Sequence, residues 1–173
     1  MPEGDGSCKD CSSSNSSKSG LSMAPNKVGG SSRNEKKERE PCSWFEIHYL
    51  VKEVARQVVE SGKKYGCILA VARGGIIPAR LLSEELGIDD IKLVQVRRKK
   101  LIASEMPALC KKERYLVIDD IYDTGSTHAQ VAKALEGFNC DYAFCMTRYE
   151  TKAGIYGRIL NHGRWIVFPW EMK

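Results

Sequence analysis

Short apolar runs, separated by polar or amphipathic segments, constrain the fold of this chain more than any other feature. Five such runs cover residues 67–71, 91–96, 115–119, 142–147 and 165–168. Each has the length of a strand, and most are apolar at nearly every position instead of at every second one. Strands of that kind are buried on both faces, as in parallel sheets that helices cover on both sides.

Amphipathic stretches lie between these runs. Ser43 stands three residues before Glu46, the spacing of a capping box, and apolar residues then recur with a helical period. Helices are expected over residues 44–62, 76–87 and 127–137. The alternation of strands and helices predicts an α/β fold, in which a parallel sheet has helices on both faces.

The first 40 residues differ in composition from the rest. They contain almost no apolar side chains and consist largely of Ser, Gly, Lys and Glu. Such a segment cannot bury enough surface to offset its conformational entropy. We therefore predict a disordered tail over residues 1–40 and one folded domain over residues 41–173. The tail contains a single CKDC pair, Cys8 and Cys11, where a zinc site needs four ligands.

Nothing in the sequence predicts a membrane protein or a secreted one. No apolar stretch is long enough to span a bilayer, and the N-terminus lacks the apolar centre of a signal peptide. The chain has seven cysteines, most of them within apolar runs, where a reduced thiol behaves as a small hydrophobe. We expect a cytoplasmic protein without a membrane partner.

The loop after residues 115–118 reads DDIYDTGST and falls at the carboxyl end of a strand, where ligands of parallel sheets bind. At the start of the following helix, backbone N–H groups are unpaired and the helix dipole is positive. Gly125 lets an anion approach, and Thr124, Ser126 and Thr127 add hydroxyl donors. The GK[ST] of a nucleoside-triphosphate loop is missing, so a monophosphate is the expected ligand.

Three carboxylates precede this turn. Asp119 and Asp120 are suited to the vicinal hydroxyls of a ribose or to Mg²⁺, whereas Asp123 could equally be a helix cap or turn former.

A second loop, ARGG, offers Arg73 and two flexible residues to another anion, although glycine pairs also form ordinary turns. Near the C-terminus, Trp170 is either a core residue or a platform for a planar base.

These stretches resemble type I phosphoribosyltransferases. YLVIDDIYDTGST is similar to the family's signature for phosphoribosyl pyrophosphate, and ILAVARGGIIPARLLSEELGI and WIVFPWE extend the likeness over about residues 43–171. The likeness is closest to the xanthine-guanine and hypoxanthine members. It implies a Rossmann-like parallel sheet with a small C-terminal hood. It further implies a Mg²⁺-dependent transfer of the 5-phosphoribosyl group from phosphoribosyl pyrophosphate to a 6-oxopurine in purine salvage.

The resemblance also implies a role for each site residue. In the catalytic step, Asp123 is the acid/base near the purine N7, and Arg73 stabilises the leaving group. The implied contacts are Asp119 and Asp120 on the ribose hydroxyls, Asp123, Thr124, Gly125, Ser126 and Thr127 on the 5′-phosphate, Arg73 and Gly74 on pyrophosphate, Trp165 and Ile166 on the base, and Asp119 and Glu171 on Mg²⁺. A cis peptide between Ala72 and Arg73 and a homodimer or homotetramer are expected as well.

Some alternatives stay open. Either Arg148 or Lys152 could read the purine 6-oxo group, and KAG favours Lys152. VRRKK is similar to orotate phosphoribosyltransferases, which keeps a pyrimidine substrate possible. Two basic clusters, residues 97–100 and 111–114, fit a lid over the site, or a non-catalytic regulator or nucleic-acid binder with the same fold. We expect small-molecule substrates instead of nucleic acid. DTGS also occurs in aspartic proteases, but those are all-β, and here a helix follows.

Overall fold

The computed structural model describes residues 38–172. Its helices are α1 (Trp44–Glu60), α2 (Ile76–Leu86) and α3 (Ser126–Ala134). Its strands are β1 (Arg39–Pro41), β2 (Cys67–Ala72), β3 (Ile91–Arg97), β4 (Lys100–Leu101), β5 (Arg114–Tyr122), β6 (Asn139–Thr147), β7 (Ile155–Ile159) and β8 (Trp165–Val167). Short 3-10 turns cover Ala103–Glu105 and Pro169–Glu171.

Helix α1 begins at the capping box that the sequence predicts. The Ser43 hydroxyl accepts a hydrogen bond from the Glu46 N–H at 3.2 Å, and the Glu46 carboxylate accepts one from the Ser43 N–H at 2.9 Å. The helix buries one apolar face from Ile47 to Val58. None of the described helices is both long and apolar enough to cross a membrane.

Six strands form one sheet in the order β4-β3-β2-β5-β6-β7. All neighbouring pairs are parallel except β3 and β4, which form a hairpin. Successive residues of β2 face opposite sides: Ile68 and Ala70 join the core beneath α1 and α2, whereas Leu69 and Val71 join the core beneath α3. The predicted parallel sheet with helices on both faces is therefore confirmed.

Besides β1 and β4, which were not predicted, two strands differ from expectation. The strand β7 was not predicted, because Gly157 and Arg158 interrupt its apolar pattern. The glycine is needed, since a Cβ there would lie 2.8 Å from the Cys145 carbonyl and 3.0 Å from the Leu50 carbonyl. The run at residues 165–168 forms β8, but β8 pairs with β1 in a separate two-stranded sheet and does not extend the large one.

Strand β1 includes two residues that the sequence assigned to the tail. Arg39 pairs with Trp165, and Glu40 pairs with Ile166. The Glu40 carboxylate lies 3.0 Å from His162 Nε2 and 2.8 Å from an Arg164 guanidinium nitrogen. The boundary predicted at residue 41 thus falls inside a strand. The rest of the predicted tail, residues 1–37 with the CKDC pair, lies outside the described residues.

Candidate active site

A cavity of about 230 Å³ opens where β5 leaves its neighbour β2. The pairing of β2 with β5 ends at Ala70 and Ile118, so the residues that follow Ile118 are free to face a ligand. The cavity wall combines acidic, hydroxyl, basic and aromatic side chains from the predicted loop, α3, β6 and β8. It is lined by Lys99, Asp119, Asp120, Ile121, Tyr122, Asp123, Thr124, Gly125, Ser126, Thr127, His128, Phe144, Arg148, Trp165, Ile166, Phe168 and Glu171.

The acidic pair, Asp119 and Asp120, is held by its own backbone. The Asp120 N–H donates to Asp119 Oδ1 at 3.0 Å, and the Ile121 N–H donates to Asp120 Oδ1 at 2.7 Å. Burial raises the pKa of Asp119, and the neighbouring charge of Asp120 raises it further. Burial also raises the pKa of Asp120, to about 6, and the charge of Glu171 adds to this rise. The pair therefore favours a cation or hydroxyl donors as its ligand.

The Arg73-Gly74-Gly75 turn packs directly on the acidic pair. The peptide between Ala72 and Arg73 is cis, which confirms that prediction. A Cβ on Gly74 would collide with the Asp120 carboxylate, and one on Gly75 would collide with the Ile118 carbonyl. Both glycines are therefore required for this close approach. Arg73 is exposed and does not line the cavity, although Gly74 brings its backbone beside Asp120.

The 123–127 loop has the geometry of an anion site. Gly125 caps α3 with φ 76°, a conformation that glycine adopts readily. The Thr124 hydroxyl donates to the Ser126 hydroxyl at 3.1 Å, so both are gathered at the helix start. The first backbone N–H groups of α3 have no partner within the helix. All five loop residues line the cavity, and unpaired N–H groups at the start of a helix are suited to binding an anion.

Arg148 lines the cavity and is hydrogen-bonded to the loop between β7 and β8. Its Nε donates to Asp123 at 2.7 Å, while its terminal nitrogens donate to the carbonyls of His162 and Arg164, each at 2.8 Å. The side chain is only 11% exposed, so its orientation is restricted. Two of the five guanidinium N–H donors remain after these three bonds. Lys152, which the sequence favoured over Arg148, is exposed and does not line the cavity.

Trp165, Ile166 and Phe168 form an aromatic and apolar part of the cavity wall, called here the Trp165 wall. Trp165 is 49% exposed at the cavity, and Ile166 beside it is buried. Phe168 also lines the cavity, and Trp170 stacks on it with ring centres 4.8 Å apart and an angle of 3° between the rings. Trp170 itself packs against the core and does not line the cavity, which agrees with the core interpretation.

Several cavity residues were not singled out from the sequence. In the sequence, Phe144 looks like an ordinary core residue of an apolar strand. It lines the cavity because it lies near the carboxyl end of β6. Tyr122 and His128 lie inside or next to the DTGST turn, so closeness to that motif was an available signal. Their rings are 5.6 Å apart, and no described residue is a hydrogen-bond partner for His128 Nε2.

The donor chemistry at the acidic pair fits Mg²⁺. Within residues 38–172, no three His, Cys, Asp or Glu side chains are grouped so that they could hold a metal by themselves. Mg²⁺ usually needs only one or two protein carboxylates, because substrate phosphates and water supply its other ligands. Asp119 and Glu171 both line the cavity. Burial and neighbouring carboxylates raise the pKa values of Asp119 and Asp120, and a cation beside them would favour their ionised forms.

Comparison with known proteins relates this site to one family. Residues 43–172 match the family model described as phosphoribosyl transferase domain. Xanthine-guanine phosphoribosyltransferase of Idiomarina loihiensis is 32% identical over 143 residues, which span 75% of this chain and 85% of that protein. The protein of the same name from Nitratidesulfovibrio vulgaris is 26% identical over 142 residues, or 77% and 85% of the two chains.

Solved structures share the fold. The purine phosphoribosyltransferase from Pyrococcus horikoshii superposes with a TM-score of 0.65 at 26% identity, over 79% of this chain and 95% of that one. The xanthine-guanine-hypoxanthine phosphoribosyltransferase of Helicobacter pylori superposes with a TM-score of 0.64 at 19% identity, over 78% and 94%. At that lower identity the likeness speaks for the fold alone.

Proposed function

The chain belongs to the phosphoribosyl transferase domain family, and from this we propose that it is a purine phosphoribosyltransferase. It transfers the 5-phosphoribosyl group of phosphoribosyl pyrophosphate to a 6-oxopurine, giving a nucleoside monophosphate and pyrophosphate. One observation carries the proposal: the acidic pair, the 123–127 loop and the Trp165 wall line the same cavity. A nucleoside monophosphate has one part for each of these surfaces: its ribose for the acidic pair, its phosphate for the 123–127 loop and its base for the Trp165 wall.

The sugar phosphate occupies the acidic pair and the loop. Asp119 and Asp120 accept hydrogen bonds from the ribose hydroxyls, because carboxylates are acceptors only. The 5′-phosphate lies at the start of α3, where Gly125 leaves the backbone N–H groups open and Thr124, Ser126 and Thr127 provide hydroxyl donors. Asp123 contributes to the same loop.

The base stacks on Trp165, and the Ile166 backbone reads its edge. Arg148 is the residue that we assign to the 6-oxo group, because it lines the cavity and keeps two N–H donors free. Its bond to Asp123 holds that carboxylate toward the base, where Asp123 acts as acid/base near N7. The same guanidinium therefore positions one catalytic group and recognises the substrate.

The reaction displaces pyrophosphate from the anomeric carbon of the ribose. Positive charge develops on the sugar, close to the acidic pair, and negative charge develops on the departing pyrophosphate. Arg73 and the Gly74 backbone bind that leaving group, as preorganised charges and dipoles should. Mg²⁺, held by Asp119 and Glu171, would supply further positive charge to the pyrophosphate oxygens. We also propose that the protein acts in purine salvage in the cytoplasm, as a homodimer or homotetramer.

A turnover panel tests the proposal. The purified full chain receives phosphoribosyl pyrophosphate and Mg²⁺ with guanine, hypoxanthine, xanthine, adenine or orotate, and nucleotide formation is followed. A product from at least one 6-oxopurine is expected, whereas a product from orotate alone would overturn the purine assignment. Binding of phosphoribosyl pyrophosphate without turnover of any base would instead indicate a regulator with this fold.

Two variants test the site. Asp120→Asn and Arg73→Ala should lower turnover by orders of magnitude, because each removes charge that the transition state needs. Asp89→Asn and Arg80→Ala are matched controls, since both residues are exposed and neither lines the cavity. Wild-type rates in both site variants would refute the assignment.

A further inference from the structure

The turn between β3 and β4 has an unusual backbone. Arg97 pairs with Lys100, so only Arg98 and Lys99 connect the two strands. Both have positive φ, 51° and 62°, as the type I′ form of a two-residue hairpin turn requires. Such positions normally carry Asn or Gly, because a Cβ makes the left-handed conformation unfavourable. Surrounding contacts must therefore hold this turn in place.

Gln130 of α3 supplies those contacts. Its side-chain Nε2 donates to the Lys99 carbonyl at 2.9 Å, and its Oε1 accepts from the Leu101 N–H at 3.3 Å. The amide thus uses both of its ends on the backbone beside the turn. Nε2 also donates to the Ser126 carbonyl at 3.1 Å, one helical turn earlier, which fixes the amide relative to the 123–127 loop.

Lys99 lines the cavity together with that loop. Lys99 takes part in no ion pair with residues 38–172, so its charge is available to a ligand. From its position in sequence, this segment was expected to be part of a lid that closes over the site. In the structure the turn already lies against α3.

We propose that Gln130 is a positioning residue, which fastens the β3–β4 turn to α3 and so holds the Lys99 ammonium group at a phosphate of phosphoribosyl pyrophosphate. The inference rests on the proposed function and extends it, because it means that Lys99 is already in place before the substrate binds. Gln130 lies behind the turn and does not itself line the cavity. Its effect on the substrate must therefore pass through Lys99.

The first experiment tests the contact without any need for activity. Hydrogen–deuterium exchange of residues 97–102 is measured on the full chain, free of ligands, in the wild type and in Gln130→Met. Met has the length and helix propensity of Gln but cannot form these bonds. Gln57→Met is the matched control, since the Gln57 amide donates to the Tyr156 carbonyl at 3.0 Å, away from the cavity.

Faster exchange of residues 97–102 is expected in Gln130→Met and not in Gln57→Met. Unchanged exchange in Gln130→Met would overturn the proposal, whatever reaction the protein catalyses. The Leu101 amide is the most informative site, because its N–H is bonded to the Gln130 side chain.

The second experiment separates positioning from general stability. The KM for phosphoribosyl pyrophosphate should rise about fivefold in Gln130→Met, the equivalent of one net hydrogen bond, with kcat less affected. Lys99→Met should raise it about tenfold, because it removes a charge-assisted contact. The double variant should match Lys99→Met alone, since Gln130 acts through Lys99.

The outcomes distinguish this inference from the proposed function. If the wild type forms no nucleotide from any base, the proposed function fails, while the exchange experiment still decides whether Gln130 holds the turn. If the wild type is active and Gln130→Met leaves the KM unchanged, the positioning role is refuted. Effects that multiply in the double variant would refute it as well, because they would mean that Gln130 acts independently of Lys99.

Discussion

Replacing Asp120 with Asn should make the free protein more stable at neutral pH while it abolishes turnover. Burial raises the pKa of Asp120 from its ordinary value of 3.8 to about 6, and the charge of Glu171 contributes to this. At neutral pH the native state therefore holds a carboxylate that would be more stable in the unfolded chain. Asn has the same shape, can keep the 2.7 Å bond from the Ile121 N–H, and carries no charge.

The size and pH dependence follow from the shift. A rise of about two pKa units corresponds to about 3 kcal/mol. Partial access of solvent reduces the expected gain to about 1–2 kcal/mol. A carboxyl whose native pKa is raised contributes stability that is complete below about pH 4 and is lost as the pH rises through about 6. Wild type and variant should therefore differ at pH 7–8 and converge near pH 4.

Urea denaturation of both proteins without ligands, at several pH values from 4 to 8, measures this difference. For a chain of this size the gain corresponds to a rise of about 3–6 °C in Tm. Asp141→Asn is a control of opposite sign. Burial alone would raise the Asp141 pKa, but hydrogen bonds from Lys63, Arg114 and Tyr65 lower it instead. That variant should lose stability at neutral pH, and its loss should shrink as the pH falls.

An Asp120→Asn variant that is less stable than wild type at pH 7 would refute the reasoning. A stability difference that stays constant from pH 4 to pH 8 would do so too, since it would arise from packing and not from the charge.

Three further variants probe the geometry of the cavity. Gly74→Ala should lower kcat/KM at least about a hundredfold, because its Cβ would displace the carboxylate of the acidic pair. Gly125→Ala should raise the KM for phosphoribosyl pyrophosphate about tenfold, since φ is 76° there and a Cβ would lie 2.5 Å from a tyrosine hydroxyl. Trp165→Ala should raise the KM for the base about tenfold and leave that for phosphoribosyl pyrophosphate unchanged, because stacking contacts only the base.

Glycines elsewhere provide matched controls. Gly66→Ala has nothing within 4 Å of the new Cβ and should keep full activity. Gly137→Ala shares the positive φ of Gly125, at 84°, but has open space around it. It should lose stability without any change in KM. Equal kinetic effects of Gly125→Ala and Gly137→Ala would show that strain, and not the anion site, accounts for the result.

Most of the structure that could be predicted follows from sequence patterns among neighbouring residues. The capping box at Ser43, the apolar runs of the central strands and the DTGST turn each depend on neighbouring residues, and the structure has all of them. The pairing of β1 with β8 joins residues more than 120 positions apart in sequence, and no local pattern encodes it. The tail boundary was therefore set too late in the chain.

The position of Arg148 at the cavity could not be predicted from the sequence for a similar reason. The KAG pattern drew attention to Lys152, but the orientation of Arg148 depends on the carbonyls of His162 and Arg164, which come from a loop after β7. Since β7 itself was not predicted, the sequence offered no means of placing that loop. The sequence shows that Arg148 directly follows an apolar strand, but it does not reveal the two carbonyl groups that orient the Arg148 side chain.

The proposed function requires the cavity to bind anions beside carboxylates, and the chain uses different kinds of group for these two tasks. In this proposal, anions meet uncharged N–H groups at the start of α3. Lys99 is held beside α3 through its backbone carbonyl, and no acid among residues 38–172 forms an ion pair with it. Arg148 is oriented mainly by two carbonyls, and its one acidic partner is Asp123 rather than the acidic pair. No described cation therefore neutralises Asp119 and Asp120, whose pKa values stay raised in the free protein. We propose that the burial of these two carboxyl groups lowers the stability of the free protein and keeps their charge available to the sugar and its metal ion.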